Sequence, residues 1–399
     1  MTASVNLTDP GEPSGWFSDV RVLECTIGVS TPLTGRVLSD LGADVVRLES
    51  RAKLDVNRTR LTRRTDWRDV PAQESFGLLH EANAGKRSAT IDLKTEGGRE
   101  LFGSLVDRAD VLIQNFVPGW LERLGLSVTV LRERNPRLIV LSASCSGQDG
   151  PGSRQRAYAP VMTALAGVEG LIGYEDGVVL GTMSSALADL NAAYVGAYAV
   201  LSALLRQRRT GQGVHLDLSQ TESATQLVGE ALVEWQLTGV VPGPKGNAGM
   251  TPAPWHLIPC EQSATGWVGV ARAADADGTG DIGQDALAVL DSLAADGGPT
   301  AVADYCHDHG YDYCSVAPSP PGLFSGTGGT ADPGLAQLVK HPFLGGLAVT
   351  SLPWRFDGLQ PSLSGASPLL GEDTADVLAD FLGLDAAAIE PYDAQGALQ

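Results

Sequence analysis

A single carboxylate opens a long apolar stretch at "DLNAAYVGAYAVLSALLRQRRTG", residues 189 to 211, where no charge follows Asp189 until Arg206. On residue type alone, an aspartate at that place is an N-cap that accepts backbone N–H bonds at the start of a helix. Its neighbours add a second reading. Ala192, Ala193, Gly196 and Ala197 leave room for another backbone or a ligand, and a helix N-terminus stabilises a thiolate or an acyl oxyanion. A desolvated aspartate there can act as a nucleophile. Cys145 in "SASCSGQDG" stands at a strand end, but no base accompanies it, so it reads as a structural thiol. "CHDHGYDYC" groups Cys306, His307, His309 and Cys314. Two histidines two residues apart lie on different sides of a helix, and Gly310 reads as its C-cap. No metal is therefore expected.

The elements that position these residues follow from periodicity. Residues 21 to 26 read as a strand, Ser30 or Thr31 as an N-cap with Pro32 at the first helical position, and Leu33, Val37, Leu38 and Leu41 as one helical face. Gly42 ends that helix and "DVVRLE" is the next strand. A second unit follows: "SATIDL" as strand, a helix over about 95 to 108, "DVLIQNF" as strand, and a short helix from Pro118. "RLIVLSASCSG" is a further strand, and after a loop-rich region come the helix behind Asp189, a strand at "GVHLDLS" and a helix from about 220 to 237. Strands alternating with helices imply a parallel, doubly wound α/β sheet. "GVVPGPKGNAGMTPAPW" is a strong break. Beyond it lie a strand at "GWVGVA", an Ala/Asp-rich helix, an extended loop at "SVAPSPPGLFSGTGGTADPG" and a last helix at "EDTADVLADFLGL".

Composition narrows the class. The chain has 399 residues, 43% hydrophobic and 19% charged, with a net charge of −19. From residue 261 onward only Arg272, Lys340 and Arg355 oppose 19 acidic residues, so 25 of the 28 basic residues precede that point, with a run from Arg47 to Arg68. An acidic chain is a poor nucleic-acid binder, while a local basic patch can hold a small phosphorylated ligand. Five cysteines without a dense framework, no signal layout and no membrane-length apolar run place the protein in the cytoplasm, away from membranes. Glu49 falls about 20 residues after the first turn, as in dinucleotide sites. That turn reads "TIGVSTPLTG", however, and lacks G-x-G-x-x-G; no P-loop occurs either.

Several stretches together resemble the family III CoA-transferases, the group of formyl-CoA transferase, carnitine CoA-transferase and α-methylacyl-CoA racemase. They are "VLECTIGVSTPLTGRVLSDLGADVVRLE", "NAGKRSATIDLKTEGGRE", "ADVLIQNFVPGWLERLGL", "NPRLIVLSASCSGQDGPG", "ALADLNAAYVGAYAVLSALLRQRRTGQGVHLDLSQTESA" and "GNAGMTPAPWHLIPC", in order. The resemblance implies a large Rossmann-like domain over 1–222, a smaller α+β domain over 223–330 inserted within it, and a segment over 331–399 returning to the first. It also implies two ring-like chains interlocked as a homodimer, with a heterodimer as the alternative.

By the same resemblance Asp189 is the catalytic nucleophile. CoA moves from an acyl-CoA to a free carboxylic acid through an aspartyl anhydride and an aspartyl-CoA thioester. The family pattern assigns CoA contacts to Arg51, Lys86, Arg87, Asn115, Phe116, Arg123 and Tyr158, and a glycine loop over the substrate to Gly246, Asn247, Ala248 and Gly249. Tyr158 stands where racemase members carry a histidine, which disfavours two-base racemisation. A racemase-like isomerase and a non-catalytic subunit remain the other readings. Donor and acceptor are not legible.

Overall fold

Val22 and Leu23, adjacent in sequence, serve two different cores, as a period of two demands of a strand covered on both faces. A computed structural model of the chain describes residues 15–60, 70–174, 176–182, 186–246, 255–263, 265–272, 282–316, 336–357 and 360–399. Strands β1 (Arg21–Cys25), β2 (Asp44–Glu49), β3 (Arg87–Thr90), β4 (Val111–Gln114), β5 (Ile139–Ser144) and β6 (His215–Ser219) form one sheet in the order β3-β2-β1-β4-β5-β6. Every neighbouring pair is parallel, as the alternating elements led one to expect. Leu23 pairs with Val46 on one side and Leu112 on the other.

The helices of the first part are α1 (Ser30–Asp40), α2 (Val56–Thr59), α3 (Gly77–Asn83), α4 (Glu96–Val106), α5 (Trp120–Arg123), α6 (Val128–Arg134), α7 (Ala159–Leu165), α8 (Leu187–Thr210), α9 (Gln220–Thr225) and α10 (Gly229–Thr238). α11 (Gln284–Asp296), α12 (Gly298–His309), α13 (Thr374–Leu382) and α14 (Ala386–Ala394) follow. Val22, Val45, Val111, Ile113 and Leu141 pack with Leu38 of α1 and Val200 and Leu204 of α8. Leu23, Val46, Leu112 and Val140 face Phe102 of α4, Leu131 of α6 and Val377, Leu378 and Phe381 of α13.

The chain divides into two compact units. One comprises Met1–Val168, Thr182–Leu237 and Gly334–Gln399; the other comprises Glu169–Gly181 and Thr238–Pro333. The first unit therefore continues through α9 and most of α10, beyond residue 222. The second holds an antiparallel sheet of β7 (His256–Pro259), β8 (Trp267–Arg272) and β9 (Tyr311–Ser315), whose Ile258, Val268 and Val270 pack with Leu290 of α11 and Val302 and Cys306 of α12. In the first unit a hairpin of β10 (Ala336–His341) and β11 (Gly345–Thr350) sets Val339 and Val349 beside Ala84 and Leu363.

Two local expectations are corrected. Ser30 and Thr31 do not cap α1: both are buried inside its first turn, Val29 holds the cap position, and no side chain caps it. The helix anticipated over 220 to 237 is broken by a 3-10 turn at Gln226–Val228 into α9 and α10. The small residues behind Asp189 admit the close approach of another element, and that element is α1: Thr34 Oγ1 donates to Ala193 O at 3.0 Å, and a Cβ on Gly196 would lie 2.9 Å from Thr34 Oγ1. Among the described residues α8 is the one helix long and apolar enough to cross a membrane. The proline-rich loop beyond Val316 lies outside the described residues.

Gly35 of α1 lies directly over the Glu24 carboxylate, and a methyl group there would collide with it. Gly35→Ala should destabilise the protein by about 3 kcal/mol, because it displaces a buried charge from its partner. The measurement is the urea midpoint; an unchanged midpoint would contradict this packing.

Candidate active site

In an open parallel sheet, ligands bind beyond the carboxyl ends of the strands, where the order reverses. Here that place lies between β1 and β4, and a cavity of about 210 Å³ occupies it. Cys25 ends β1 and Thr26 follows it, Leu48 and Glu49 end β2, and Phe116 follows β4. Phe116 and Trp120 make an aromatic wall with ring centroids 4.2 Å apart. Lys53 and Lys94, both exposed, stand at the rim. An aromatic wall with ammonium groups at the rim suits a planar base carrying phosphates.

The side chains assigned to CoA by family resemblance divide sharply. Phe116 lines the cavity. Lys86 does not: its side chain is fully buried, and Nζ donates to Glu24 Oε2 at 2.8 Å, Pro32 O at 2.6 Å and Asn83 Oδ1 at 3.0 Å. Burial lowers its pKa to about 8 although Glu24 acts in the opposite direction. Arg87 is committed to Asp44 at 2.6 Å and Asp380 at 2.8 Å. Asn115 spends its amide on the backbone of Ile27, at 2.9 and 2.8 Å. In this structure these three side chains are engaged with groups of the protein itself.

Arg51 is exposed, with Nη2 3.4 Å from Leu370 O, and Arg123 is exposed on α5. Tyr158 is 67% exposed at the start of α7 and does not line the cavity. Gly246 belongs to the other unit, while Asn247, Ala248 and Gly249 lie outside the described residues. Lys53 belongs to the basic run noted in the sequence but was not singled out as a site residue, and Lys94 and Trp120 were not anticipated. Their signal was positional: each follows closely on a strand end or on the "NFVPG" turn.

Asp189 is the third residue of α8 and caps nothing. Its carboxylate accepts no hydrogen bond from any described residue, and burial alone raises its pKa to about 6. It is therefore an anion at neutral pH with no counter-charge among the described residues, more basic than an ordinary aspartate. Such a group can attack an electrophilic carbonyl. Cys145 has Ser146 Oγ at 3.5 Å and Thr221 Oγ1 at 3.7 Å, with no general base among its described contacts.

Glu74, His80 and His341 bring three potential metal ligands within 4.8 Å of one another, all buried. Their hydrogen bonds do not fit a cation. His80 Nε2 faces the carbonyl of Glu74 at 2.9 Å and so carries the proton, while Nδ1 faces Ser367 Oγ at 2.6 Å. His341 Nδ1 accepts from the N–H groups of Phe343 and Leu344, each at 3.3 Å, which puts its proton on Nε2, 3.7 Å from Glu74. At the other suspected cluster, Cys306 lies in the second unit's core, Cys314 is exposed, and His309 Nδ1 meets Tyr305 O at 2.9 Å.

The family model for CoA-transferase family III matches residues 17–281. The chain belongs to this family. As a family III CoA-transferase it is 33% identical over 251 residues to the acetyl-CoA:oxalate CoA-transferase of Acetobacter aceti, a match spanning 63% of this chain and 62% of that protein. It is 29% identical over 399 residues to the succinyl-CoA–D-citramalate CoA-transferase of Chloroflexus aurantiacus, covering 92% of this chain and 94% of that one. A CaiB/BaiF family protein from Brucella suis shares the fold with a TM-score of 0.78 at 26% identity, covering 93% of this chain and 100% of its own.

For this family III protein the raised Asp189 pKa has a stability consequence. The folded state binds that proton more tightly than the unfolded state, so stability falls as pH rises from about 4 to 6. Asp189→Asn should therefore stabilise the protein by about 1–2 kcal/mol at pH 7.5. Below about pH 4 the gain should vanish, as both states then hold the proton. Urea midpoints at the two pH values check this; no gain at pH 7.5 would contradict the desolvated carboxylate.

Proposed function

We propose that the protein transfers CoA from an acyl-CoA thioester to a free carboxylic acid, with Asp189 as nucleophile. The observation that carries this is the half-buried Asp189 carboxylate, which has no hydrogen-bond or ion-pair partner among the described residues. The names of the family relatives support the reaction class. Asp189 attacks the thioester carbonyl, the C–S bond breaks, and CoA leaves as a thiolate; the product is a mixed anhydride. The thiolate then attacks the aspartyl carbonyl, releasing the donor acid and leaving an aspartyl-CoA thioester. The acceptor carboxylate attacks that thioester to give a second anhydride and free thiolate. Attack of the thiolate on the acceptor's acyl carbon yields the new acyl-CoA and regenerates the aspartate. The thioester's energy is conserved throughout, provided water is kept from both intermediates.

In this reading the cavity beyond β1 and β4 seats the nucleotide end of CoA. Phe116 and Trp120 supply the stacking wall, and Lys53, Lys94, Arg51 and Arg123 face its phosphates. Tyr158 remains a further CoA contact in this reading. A homodimer belongs to the same reading, interlocked as the family resemblance implies. Its support is the apolar surface left on α7, α8 and α10, with Leu165, Tyr198, Leu205 and Leu237 at least half exposed.

Asp189→Ala should reduce kcat/KM for transfer by about 10³-fold or more while far-UV circular dichroism stays as in the wild type. A variant that transfers CoA at the wild-type rate would remove Asp189 from the mechanism.

A further inference from the structure

The turn from β1 into α1 is held by side chains at every backbone polar group of two residues. Ile27 donates its N–H to Asn115 Oδ1 at 2.9 Å, and its carbonyl accepts from Asn115 Nδ2 at 2.8 Å. Gly28 donates to Asp55 Oδ2 at 3.1 Å, and its carbonyl accepts from Asn57 Nδ2 at 2.7 Å. Asp55 is itself fixed, by an ion pair with Arg47 Nη2 and by the N–H of Asn57 at 2.6 Å. Asn115 directly follows β4, whereas Asp55 and Asn57 follow β2. The turn is thus gripped from both sides of β1, at the point where the strand order reverses.

Water could satisfy an exposed turn at no ordering cost to side chains. Four side-chain bonds on two consecutive residues instead select one conformation, and Gly28 adopts φ +81°, which other residues resist. Ile27 and Asp55 also line the cavity, so this turn forms part of its rim.

We infer that Asp55, Asn57 and Asn115 are positioning residues for CoA, holding the Ile27–Gly28 turn in the shape that receives it. The inference rests on the CoA-transferase reading above. It gives Asn115 a role through Ile27 rather than a direct contact with the ligand. Asn57 provides the sharpest discrimination: it is 1% exposed and cannot touch CoA, so any effect on affinity must pass through Gly28.

The test is calorimetric titration of free coenzyme A into the wild type, Asn57→Ala, Asn115→Ala and Gly28→Ala, with KM for the acceptor acid and the urea midpoint measured on each. A Cβ at Gly28 meets nothing within 4 Å, so that variant alters the turn without a packing clash. Asn57→Ala should weaken CoA about fivefold, the loss of one hydrogen bond, and Asn115→Ala, which loses two, and Gly28→Ala, which strains a turn at φ +81°, should weaken it by at least as much, with the acceptor KM unchanged in each. General loosening of the fold would move both constants together, and that result overturns the inference. Wild-type affinity for CoA in Asn57→Ala overturns it too, whatever happens to its midpoint. A wild type that does not bind CoA is a separate result, which defeats the functional reading itself and the inference with it.

Discussion

Beneath the cavity runs a chain of buried ion pairs on which the arrangement of the first unit depends. Glu24 of β1 meets Lys86 beside β3; Arg47 of β2 meets Asp55; Arg58 of α2 holds Glu49 at 2.8 Å and Glu74 at 2.6 Å. Burial pushes the Glu49 carboxyl up, but Arg47, Arg58 and Ser88 outweigh it and hold the pKa at about 2. Charges this deep are tolerable only as pairs, and removing one partner leaves the other uncompensated. The same network ties distant sequence together: Arg58 Nη2 also donates to Pro368 O, and His80 meets Ser367. A buried network of this kind resists sliding of β1 against β2, and so fixes the geometry of the turn at the cavity rim.

Asp189 obeys the opposite rule. Glu24, Glu49, Asp55 and Glu74 are each neutralised by a cation, whereas Asp189 is desolvated with none beside it among the described residues. A structural carboxylate would gain from a partner, as those four do. Leaving one unpaired lowers stability and raises basicity, the exchange expected of a nucleophile. Rigid support on one face of the sheet and an unsatisfied charge at the head of α8 are complementary parts of one design.

Much of this frame was legible in the sequence because it rests on periodicity. The β1–α1–β2 unit announces itself through alternating apolar residues, Pro32 in the first turn and Gly42 at the end. Asp189 was legible as the lone charge before a long uncharged run. Direction was not legible. Lys86 and Lys53 are both basic residues near strand ends, yet Lys86 turns inward to Glu24, and only the tertiary position of Glu24 decides that. The pairing of Asn115 with the backbone of Ile27 was not legible either, since the two are far apart in sequence. The interruption between α9 and α10 had no local signal beyond Gly229, which a helix can absorb at modest cost.

The central claim is that Asp189 is attacked and attacks in turn. The direct measurement is to incubate the protein with acetyl-, succinyl-, formyl-, branched and aromatic acyl-CoAs, quench with hydroxylamine or borohydride, and locate the modified residue by peptide mass. The account predicts modification confined to Asp189 with at least one donor. Turnover of an acyl-CoA with Asp189 unmarked, or with the mark on Cys145, would contradict it.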